Sequence, residues 1–173
     1  MSYFIIIRGP LGCGKTTIAK KLTTRLNGKY FSVDKILDKH KLGYDTEGGN
    51  IAQKSFLKTN EILAPLAKKL LASGTPVIFD GNFYWQSHIK DLIQKLNAPH
   101  YTFTLHAPLA VCIERDKKRQ KSYGVEATKA VYKRSTALIY GVVINTTKSK
   151  NEAIETILTF LQKHKISIPR QRH

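Results

Sequence analysis

A chain of 173 residues with 42% apolar and 24% charged residues is long enough for one globular domain with its own hydrophobic core. Its two cysteines are too few for a disulfide framework, and because it has neither a bilayer-length apolar stretch nor a signal-peptide start, we expect a cytoplasmic protein. The formal net charge of +17 favours polyanionic partners, yet a solvated basic surface without a specific partner fits this charge equally well.

Strand-like apolar runs alternate with helical patterns along the chain, which predicts an α/β fold with a parallel sheet covered by helices on both faces. The predicted strands are 3–8, 29–33, 76–80, 100–106 and 142–145. The predicted helices are 15–27, 51–71, 86–97, 108–121, 126–138 and 149–164, and Pro65 is expected to bend or divide the second. Two excursions, 38–50 and 117–126, interrupt this pattern without a linker, so residues 1–173 are predicted to form a single domain.

The segment RGPLGCGKTT, residues 8–17, contains GxxxxGK[ST] between the first predicted strand and the first predicted helix. In this motif the glycines turn backbone N–H groups toward a phosphate, the lysine reaches the β- and γ-oxygens, and the hydroxyl ligates Mg²⁺. We therefore predict a nucleoside triphosphate bound with Mg²⁺, a catalytic role for Lys15 and metal ligation by Thr16. Cys13 is interpreted as a small loop residue and not as a nucleophile. The predicted nucleotide-binding residues of the loop are Gly9, Leu11, Gly12, Cys13, Gly14, Lys15, Thr16 and Thr17.

Two carboxylates end predicted strands, at the edge where parallel α/β sheets bind their ligands. Asp34 is predicted to be the general base that takes the proton of an acceptor hydroxyl, and the alternative is an N-cap of the next helix. Asp80 is predicted to coordinate Mg²⁺ or to position the substrate, and the alternative is a turn residue before Gly81. The chain lacks the NKxD motif of GTPases, and its DxxG match at residues 45–48 follows no strand, so we interpret that match as a turn.

Arg115 and Arg119 are four residues apart, which predicts that they share one helical face leading into the basic segment 117–126. Guanidinium groups on a closing flap can neutralise charge that develops on a transferred phosphoryl group. Both arginines are therefore predicted to be catalytic. The alternative is the solvated end of a charged helix.

With these motifs the sequence resembles the small P-loop kinases related to adenylate kinase. The most similar group is the AAA-type ATP-binding group that contains polynucleotide 5′-hydroxyl kinases, zeta toxins and chloramphenicol phosphotransferase. The resemblance extends from Phe4 to about Leu161, through the P-loop, Asp34, Asp80-Gly81-Asn82, the stretch from Pro108 to Arg119, and the loop 143–147.

This resemblance implies ATP as the donor and a three-layer P-loop kinase fold with a five-stranded parallel sheet of order 2-3-1-4-5. It also implies a lid segment at about 117–126 and an acceptor-binding excursion at about 35–73. Arg115, Asn145 and Thr146 complete the implied nucleotide site, although many members of the group have Asp at the position of Asn145.

A nucleoside-monophosphate kinase must hold the phosphate of its acceptor, a task that favours arginine in bidentate contact. The segment 34–75 contains no arginine. We therefore predict transfer to a hydroxyl, with a nucleoside-monophosphate kinase and a nucleic-acid-binding ATPase without phosphate transfer as alternatives. The acceptor could be a nucleic-acid 5′ end, a nucleoside or a small metabolite. Lysines that could hold a polyanion are at 35, 39, 41, 54 and 58, and aromatic residues that could stack on a base, or simply pack, are Tyr44, Phe83, Tyr84 and Trp85.

Overall fold

Five parallel strands form the central sheet of the computed structural model, which describes residues 2–164. They are β1 (Phe4–Arg8), β2 (Lys29–Ser32), β3 (Val77–Asp80), β4 (His100–His106) and β5 (Val142–Asn145). Their spatial order is β2-β3-β1-β4-β5, which confirms the predicted order 2-3-1-4-5. The register pairs Asp80 with Ile7 on one side and with Ser32 on the other, so three strands end together at the edge where the P-loop begins.

Within residues 2–164, seven α-helices surround this sheet: α1 (Lys15–Arg25), α2 (Val33–Lys39), α3 (Gln53–Ala72), α4 (Gln86–Leu96), α5 (Leu109–Lys117), α6 (Val125–Thr136) and α7 (Lys150–Lys163). Successive side chains of a strand point to opposite faces, and β1 supplies both cores. Ile5 and Ile7 pack with α1 and α7, whereas Phe4 and Ile6 pack with α3 and α4. Burial on both faces explains why β1 is a continuous apolar run. The result is the predicted three-layer α/β architecture.

The connection between β2 and β3 contains α2, a short 3₁₀ turn (Leu42–Tyr44), a hairpin of two short strands (Thr46–Glu47 and Asn50–Ile51) and α3. The DxxG match lies in this hairpin, whose turn residues Gly48 and Gly49 have positive φ angles. Helix α3 runs unbroken through Pro65, so the predicted division is wrong. Pro65 lies on the exposed face of the helix, where water can replace the lost backbone hydrogen bond.

The start of α2 differs from the prediction by one residue, with a consequence for the site. The predicted strand ran to residue 33, but α2 begins at Val33 because the Ser32 hydroxyl caps it by accepting the Lys35 N–H at 3.3 Å. The alternative role of Asp34 as an N-cap is therefore wrong. The Asp34 carboxylate is free for other contacts.

No helix within residues 2–164 has both the length and the apolar character needed to cross a bilayer. The predicted single domain includes residue 1 and residues 165–173, which lie outside the described residues.

Candidate active site

The P-loop connects β1 to α1 through three glycines whose φ angles are positive: 141° at Gly9, 77° at Gly12 and 97° at Gly14. The loop also lies against its neighbours too closely for a side chain. A Cβ on Gly9 would lie 2.5 Å from the Leu105 carbonyl oxygen, and one on Gly12 would lie 2.2 Å from that of Cys112. Only glycine permits this path. A loop of this shape turns its N–H groups toward one point, which suits a phosphate.

The N-terminus of helix α1 has no side-chain cap. Gly14 is its N-cap, and its first turn contains no acid. Helix α7, in contrast, is capped by the Ser149 hydroxyl, which accepts two N–H groups. The positive end of α1 is therefore free for an anion. Lys15, 6% exposed, lies across the loop and donates from Nζ to the Pro10 carbonyl at 2.7 Å.

Asp80 and Thr16 meet as the sequence predicts. Asp80 is the last residue of β3 and not a turn residue, and its Oδ2 accepts hydrogen bonds from the Thr16 hydroxyl and from the Tyr30 hydroxyl, both at 2.7 Å. Burial, followed by the nearby Asp80 charge, raises the pKa of Tyr30, which keeps this hydroxyl a donor. The sequence offered no signal for Tyr30.

The second carboxylate oxygen of Asp80, Oδ1, is buried and has no hydrogen-bond partner within residues 2–164. The same part of the chain contains no group of three or more His, Cys, Asp or Glu side chains that could hold a metal by themselves. A carboxylate with a free oxygen beside a hydroxyl fits Mg²⁺, which commonly takes only one or two protein ligands and completes its shell with phosphate oxygens and water. These two residues therefore fit the predicted metal site.

Asp34 lies in the first turn of α2, half-buried, and lines a cavity of about 260 Å³ together with Leu11 of the P-loop. Burial raises the pKa of its carboxyl to about 6; the Lys15 charge opposes this shift, Asp80 and Asp38 add to it, and Arg119 opposes it. A carboxylate whose pKa approaches neutrality accepts a proton more readily than an ordinary aspartate.

The remaining walls of this cavity, which we call the Asp34 cavity, come from four segments of the chain. Helix α2 contributes Leu37 and Asp38, and the segment between α2 and α3 contributes Gly43, Gly49, Asn50 and Ile51. The turn after β3 contributes Asn82 and Tyr84. The loop before α6 contributes Tyr123, and α6 itself contributes Ala127, Ala130 and Val131. Sequence patterns identified Asp34 and Tyr84 but could not show that these segments meet.

The two arginines predicted to act in the lid lie in different elements, one in a helix and the other in the loop that follows it. Arg115 is in α5 and donates from Nη2 to the carbonyls of Thr146 at 2.7 Å and Thr147 at 3.1 Å, while its Nη1 is buried without a partner among residues 2–164. Helix α5 ends at Lys117, so Arg119 lies in the following loop and the prediction of one shared helical face is wrong. Arg119 lies 3.7 Å from the Asp116 carboxylate and 5.8 Å from the Tyr123 ring centroid.

Asp116 is a site residue that the sequence interpretation missed. It is 2% exposed, and its Oδ2 accepts the Ser122 hydroxyl at 2.7 Å and the N–H groups of Tyr123 and Gly124 at 3.0 and 3.1 Å. These bonds fold the loop 118–124, which we call the lid loop, back over the end of α5. A lone acid inside the run Arg115-Asp116-Lys117-Lys118-Arg119 was the available signal.

Two further residues of the predicted nucleotide site are Asn145, the last residue of β5, and Thr146, directly after it. The hydroxyl of the buried Thr146 donates a hydrogen bond to the Cys13 carbonyl at 2.8 Å, which connects the end of β5 to the P-loop. Asn145 is exposed, and its Oδ1 accepts the Thr147 N–H at 2.8 Å. Burial raises the pKa of the Cys13 thiol, which agrees with the interpretation of Cys13 as a structural residue. Thr17, like Thr16, is exposed in the first turn of α1.

Arg8, directly before the P-loop, is fully buried and was not identified from the sequence. It donates to the Phe83 carbonyl at 3.1 Å, the Thr104 hydroxyl at 3.0 Å and the Ser135 carbonyl at 2.9 Å, and it also bonds the Leu138 carbonyl. Burial lowers its pKa to about 10. Arg8 thus connects β1 to the end of α6, the helix that follows the lid loop.

Several of the residues proposed as polyanion or base contacts have other partners, and the rest are mostly exposed. Phe83 stacks on His88 in the core at 4.3 Å between centroids. Trp85 donates to the Ile51 carbonyl at 2.9 Å, and the Arg134 guanidinium lies 3.8 Å above its ring. The lysine–acid pairs are Lys54–Asp45 at 3.2 Å and Lys58–Glu61 at 2.7 Å. Tyr44 is 84% exposed, and lysines 35, 39 and 41 are also exposed.

Comparison with known proteins supports the fold. A family model described as an AAA domain (AAA_33) matches residues 4–142. A crystal structure of a sugar kinase from Janibacter sp. HTCC2649 superposes with a TM-score of 0.76 at 17% identity, covering 94% of this chain and 95% of the other. A gluconokinase from Sinorhizobium meliloti 1021 superposes with a TM-score of 0.68 at 15% identity, covering 92% and 91%. No curated protein matches the sequence significantly.

Proposed function

We propose that this chain, which belongs to the AAA domain family, transfers the γ-phosphate of ATP to a hydroxyl group of a small acceptor molecule. The observation that carries the proposal is the Asp34 carboxyl, whose raised pKa of about 6 and whose place in a cavity shared with the P-loop residue Leu11 suit a general base. A P-loop alone would be compatible with a switch protein or a motor. The kinase and sugar-kinase descriptions of the similar structures agree with transfer to an alcohol.

On the donor side, the P-loop N–H groups and the free end of α1 would hold the β-phosphate, and Lys15 would turn from the Pro10 carbonyl to the phosphate oxygens. The Thr16 hydroxyl and the free oxygen of Asp80 would hold Mg²⁺. When bound, Mg²⁺ supplies positive charge that neutralises the β- and γ-oxygens. Tyr30 keeps the Asp80 carboxylate in place from the opposite side.

In the transfer step, the acceptor hydroxyl oxygen bonds to the γ-phosphorus while the bond from that phosphorus to the bridging oxygen of ADP breaks. Asp34 accepts the proton that the hydroxyl loses. Arg115, with its unpaired Nη1, and Arg119, in the lid loop, are the cations available to neutralise charge on the moving phosphoryl group. The products are a phosphate monoester and ADP.

The acceptor side favours a small molecule over the alternative acceptors. A nucleoside monophosphate or a nucleic-acid 5′ end would bring additional phosphate near Asp34 and Asp38, and the residues within 2–164 that line the Asp34 cavity include no lysine, arginine or histidine. Among the five lysines predicted as possible polyanion contacts, Lys54 and Lys58 already pair with acids.

A radiolabel transfer assay tests the proposal. Purified protein is incubated with γ-labelled ATP and Mg²⁺, and the acceptors offered separately are 5′-hydroxyl oligonucleotides, nucleosides, nucleoside monophosphates and a small-metabolite extract. We expect label in a small hydroxyl compound. Label in a nucleoside diphosphate would assign the nucleoside-monophosphate kinase activity instead, and tight salt-dependent binding of oligonucleotides without label transfer would indicate a nucleic-acid-binding ATPase.

The matched variant pair is Asp34→Asn and Asp45→Asn. Asp45 is an exposed acid of the same connection, paired with Lys54 and absent from the cavity lining. Loss of transfer in Asp34→Asn with normal transfer in Asp45→Asn supports the assigned base. Equal transfer by both variants would remove Asp34 from the mechanism.

A further inference from the structure

The Asp34 cavity has a charge opposite to that of the whole chain. The formal net charge of the chain is +17, yet the cavity is lined by two carboxylates, Asp34 and Asp38, and by no cationic side chain of residues 2–164. None of the ion pairs between described residues uses either carboxylate. Arg119, which acts electrostatically on Asp34, is paired with Asp116 and does not line the cavity. The cavity therefore favours a cation supplied by the ligand.

The two carboxylates have separate tasks available to them. Asp34 and Asp38 are four residues apart in α2, so their Cβ atoms lie about 5–6 Å apart on one helical face. Proton removal from a hydroxyl needs only one base, and Asp34 already has that role in the proposed reaction. Asp38 is thus free to bind another group of the same acceptor.

A third oxygen in the cavity lacks a donor. The side-chain oxygen of Asn82 is buried, and no residue within 2–164 donates a hydrogen bond to it. Buried oxygens of this kind are normally paired, so a ligand that brings N–H or O–H donors is the complement of this site. An ammonium group has three donors and no acceptor, which matches a carboxylate better than a neutral hydroxyl does.

Most of the remaining cavity wall is apolar, and its other polar side chains are Asn50, Tyr84 and Tyr123. Leu11, Leu37, Ile51, Ala127, Ala130 and Val131 surround the polar groups. Such a wall suits a hydrocarbon body better than a chain of hydroxyl groups, because unpaired hydroxyls would lose their hydrogen bonds to water.

We propose, on the basis of the proposed phosphotransferase function, that the acceptor is a small amino alcohol whose hydroxyl faces Asp34 and whose protonated amine faces Asp38. The two groups are separated by about 5–6 Å, the spacing of the two side chains. The amine binds and does not react: phosphate moves to the hydroxyl oxygen, and the proton of that hydroxyl passes to Asp34.

Three acceptors that share a cyclohexane skeleton but differ in charge test whether the acceptor is an amino alcohol. trans-4-Aminocyclohexanol, cyclohexane-1,4-diol and 4-hydroxycyclohexanecarboxylate are compared by label transfer from ATP, and we expect kcat/KM to fall in that order, with at least about a tenfold preference for the amine over the diol. Equal use of amine and diol, or a preference for the carboxylate, would overturn the amino-alcohol class and leave the phosphotransferase function intact.

The variant Asp38→Asn separates binding of the amine from catalysis. We expect its KM for the aminocyclohexanol to rise at least about tenfold with little change in kcat, while its KM for the diol is unchanged. Asp45→Asn serves as the control because Asp45 does not line the cavity. The same loss of activity toward both acceptors would contradict the assignment of Asp38 to the amine.

The natural acceptor provides an independent test. The labelled product formed from a metabolite extract is treated with an amine-acylating reagent, and a shift in its chromatographic mobility is expected. An unshifted product overturns the amino-alcohol class alone. Absence of label in every hydroxyl acceptor overturns the phosphotransferase function, and the amino-alcohol class falls with it.

Discussion

The proposed donor and acceptor sides of this site differ in whether backbone groups or side chains form them. The donor side is mostly backbone, with three glycines at positive φ, an uncapped helix end and the cations Lys15 and Arg115. The proposed acceptor side is the Asp34 cavity, whose walls are mostly side chains and whose charged members are both acids. A backbone cradle recognises a phosphate on any nucleotide, whereas side chains select one acceptor. The acceptor side therefore carries the identity of the reaction.

Removing the lysine of the donor side should give the largest effect. Lys15→Ala deletes the buried cation that we propose binds the transferred phosphate, and we expect phosphate transfer to fall on the order of a thousandfold or more. Steady-state transfer from labelled ATP measures this loss. Lys69→Ala, on the exposed face of α3, is the control and should retain the wild-type rate. Unchanged turnover in Lys15→Ala would contradict the assigned donor site.

Changing the base of the acceptor side should give the next effect. Asp34→Asn should retain ATP binding while transfer falls about a hundredfold or more, since an amide cannot take the proton. In the wild type, kcat should rise with pH through about 6, because Asp34 acts in its ionised form and its pKa is raised to about 6. A pH–rate profile from pH 4.5 to 8.5 checks this. The same rise in Asp34→Asn would assign it to another group.

The proposed metal site, Thr16 and Asp80, lies between the proposed donor and acceptor sides. Asp80→Asn weakens the partner of the Thr16 hydroxyl and removes a buried charge, so the Mg²⁺ concentration for half-maximal transfer should rise about 10–100-fold. A Mg²⁺ titration at saturating ATP measures this change. Tyr30→Phe, which removes one hydrogen bond to the same carboxylate, should shift the titration in the same direction by less. An unchanged titration in Asp80→Asn would exclude this carboxylate from the metal site.

Loosening the lid loop should have a smaller effect on transfer. Asp116→Ala removes the acceptor of three hydrogen bonds that fold the loop, and we expect kcat to fall about tenfold with ATP affinity unchanged. Asp116→Asn keeps an acceptor oxygen and should restore part of the rate. Glu114→Ala, which removes an exposed acid paired with Lys118, is the matched control. A proportional loss of ATP affinity would indicate a general structural defect in place of lid positioning.

The smallest expected effect is that of Asp34→Asn on stability. This substitution should lower activity but raise stability at pH 8. Because the folded-state pKa of Asp34 is raised above 3.8, its stabilising contribution is complete below pH 3.8 and is lost as pH rises through about 6. Asp34→Asn removes this cost of burying charge and should raise the free energy of unfolding at pH 8 by about 1–3 kcal/mol. Urea denaturation at pH 8 and pH 4 checks this, and the gain should shrink at pH 4. Destabilisation at pH 8 would show that the charged form is favoured.

Local sequence predicted which residues of the proposed donor side meet at one edge of the sheet, and their roles stay predictions. The P-loop, Lys15, Thr16 and Asp80 were all identified because each follows a strand that is recognisable on its own, and parallel strands bring their ends to one edge. Periodicity in the sequence does not show which distant residues form hydrogen bonds, so three residues were missed. The partner of Tyr30 is 50 residues away in the sequence, and those of Arg8 are 75 or more residues away. The partners of Asp116 are only 6–8 residues away, but they lie in a loop without a periodic pattern. The predicted shared face of Arg115 and Arg119 failed because Asp116 accepts N–H groups beyond the end of α5.

The sequence by itself determined the architecture and the phosphate cradle. Alternating strand and helix patterns specify the layers, and glycine spacing specifies a loop that no other residue could form. Only the tertiary structure decided the acceptor side, because the Asp34 cavity joins α2, the hairpin, the turn after β3 and α6. The cavity has two acids in a largely apolar lining, although the chain has a net charge of +17, and a total charge cannot predict this composition. Charge acts locally, and the fold decides which charges share a cavity.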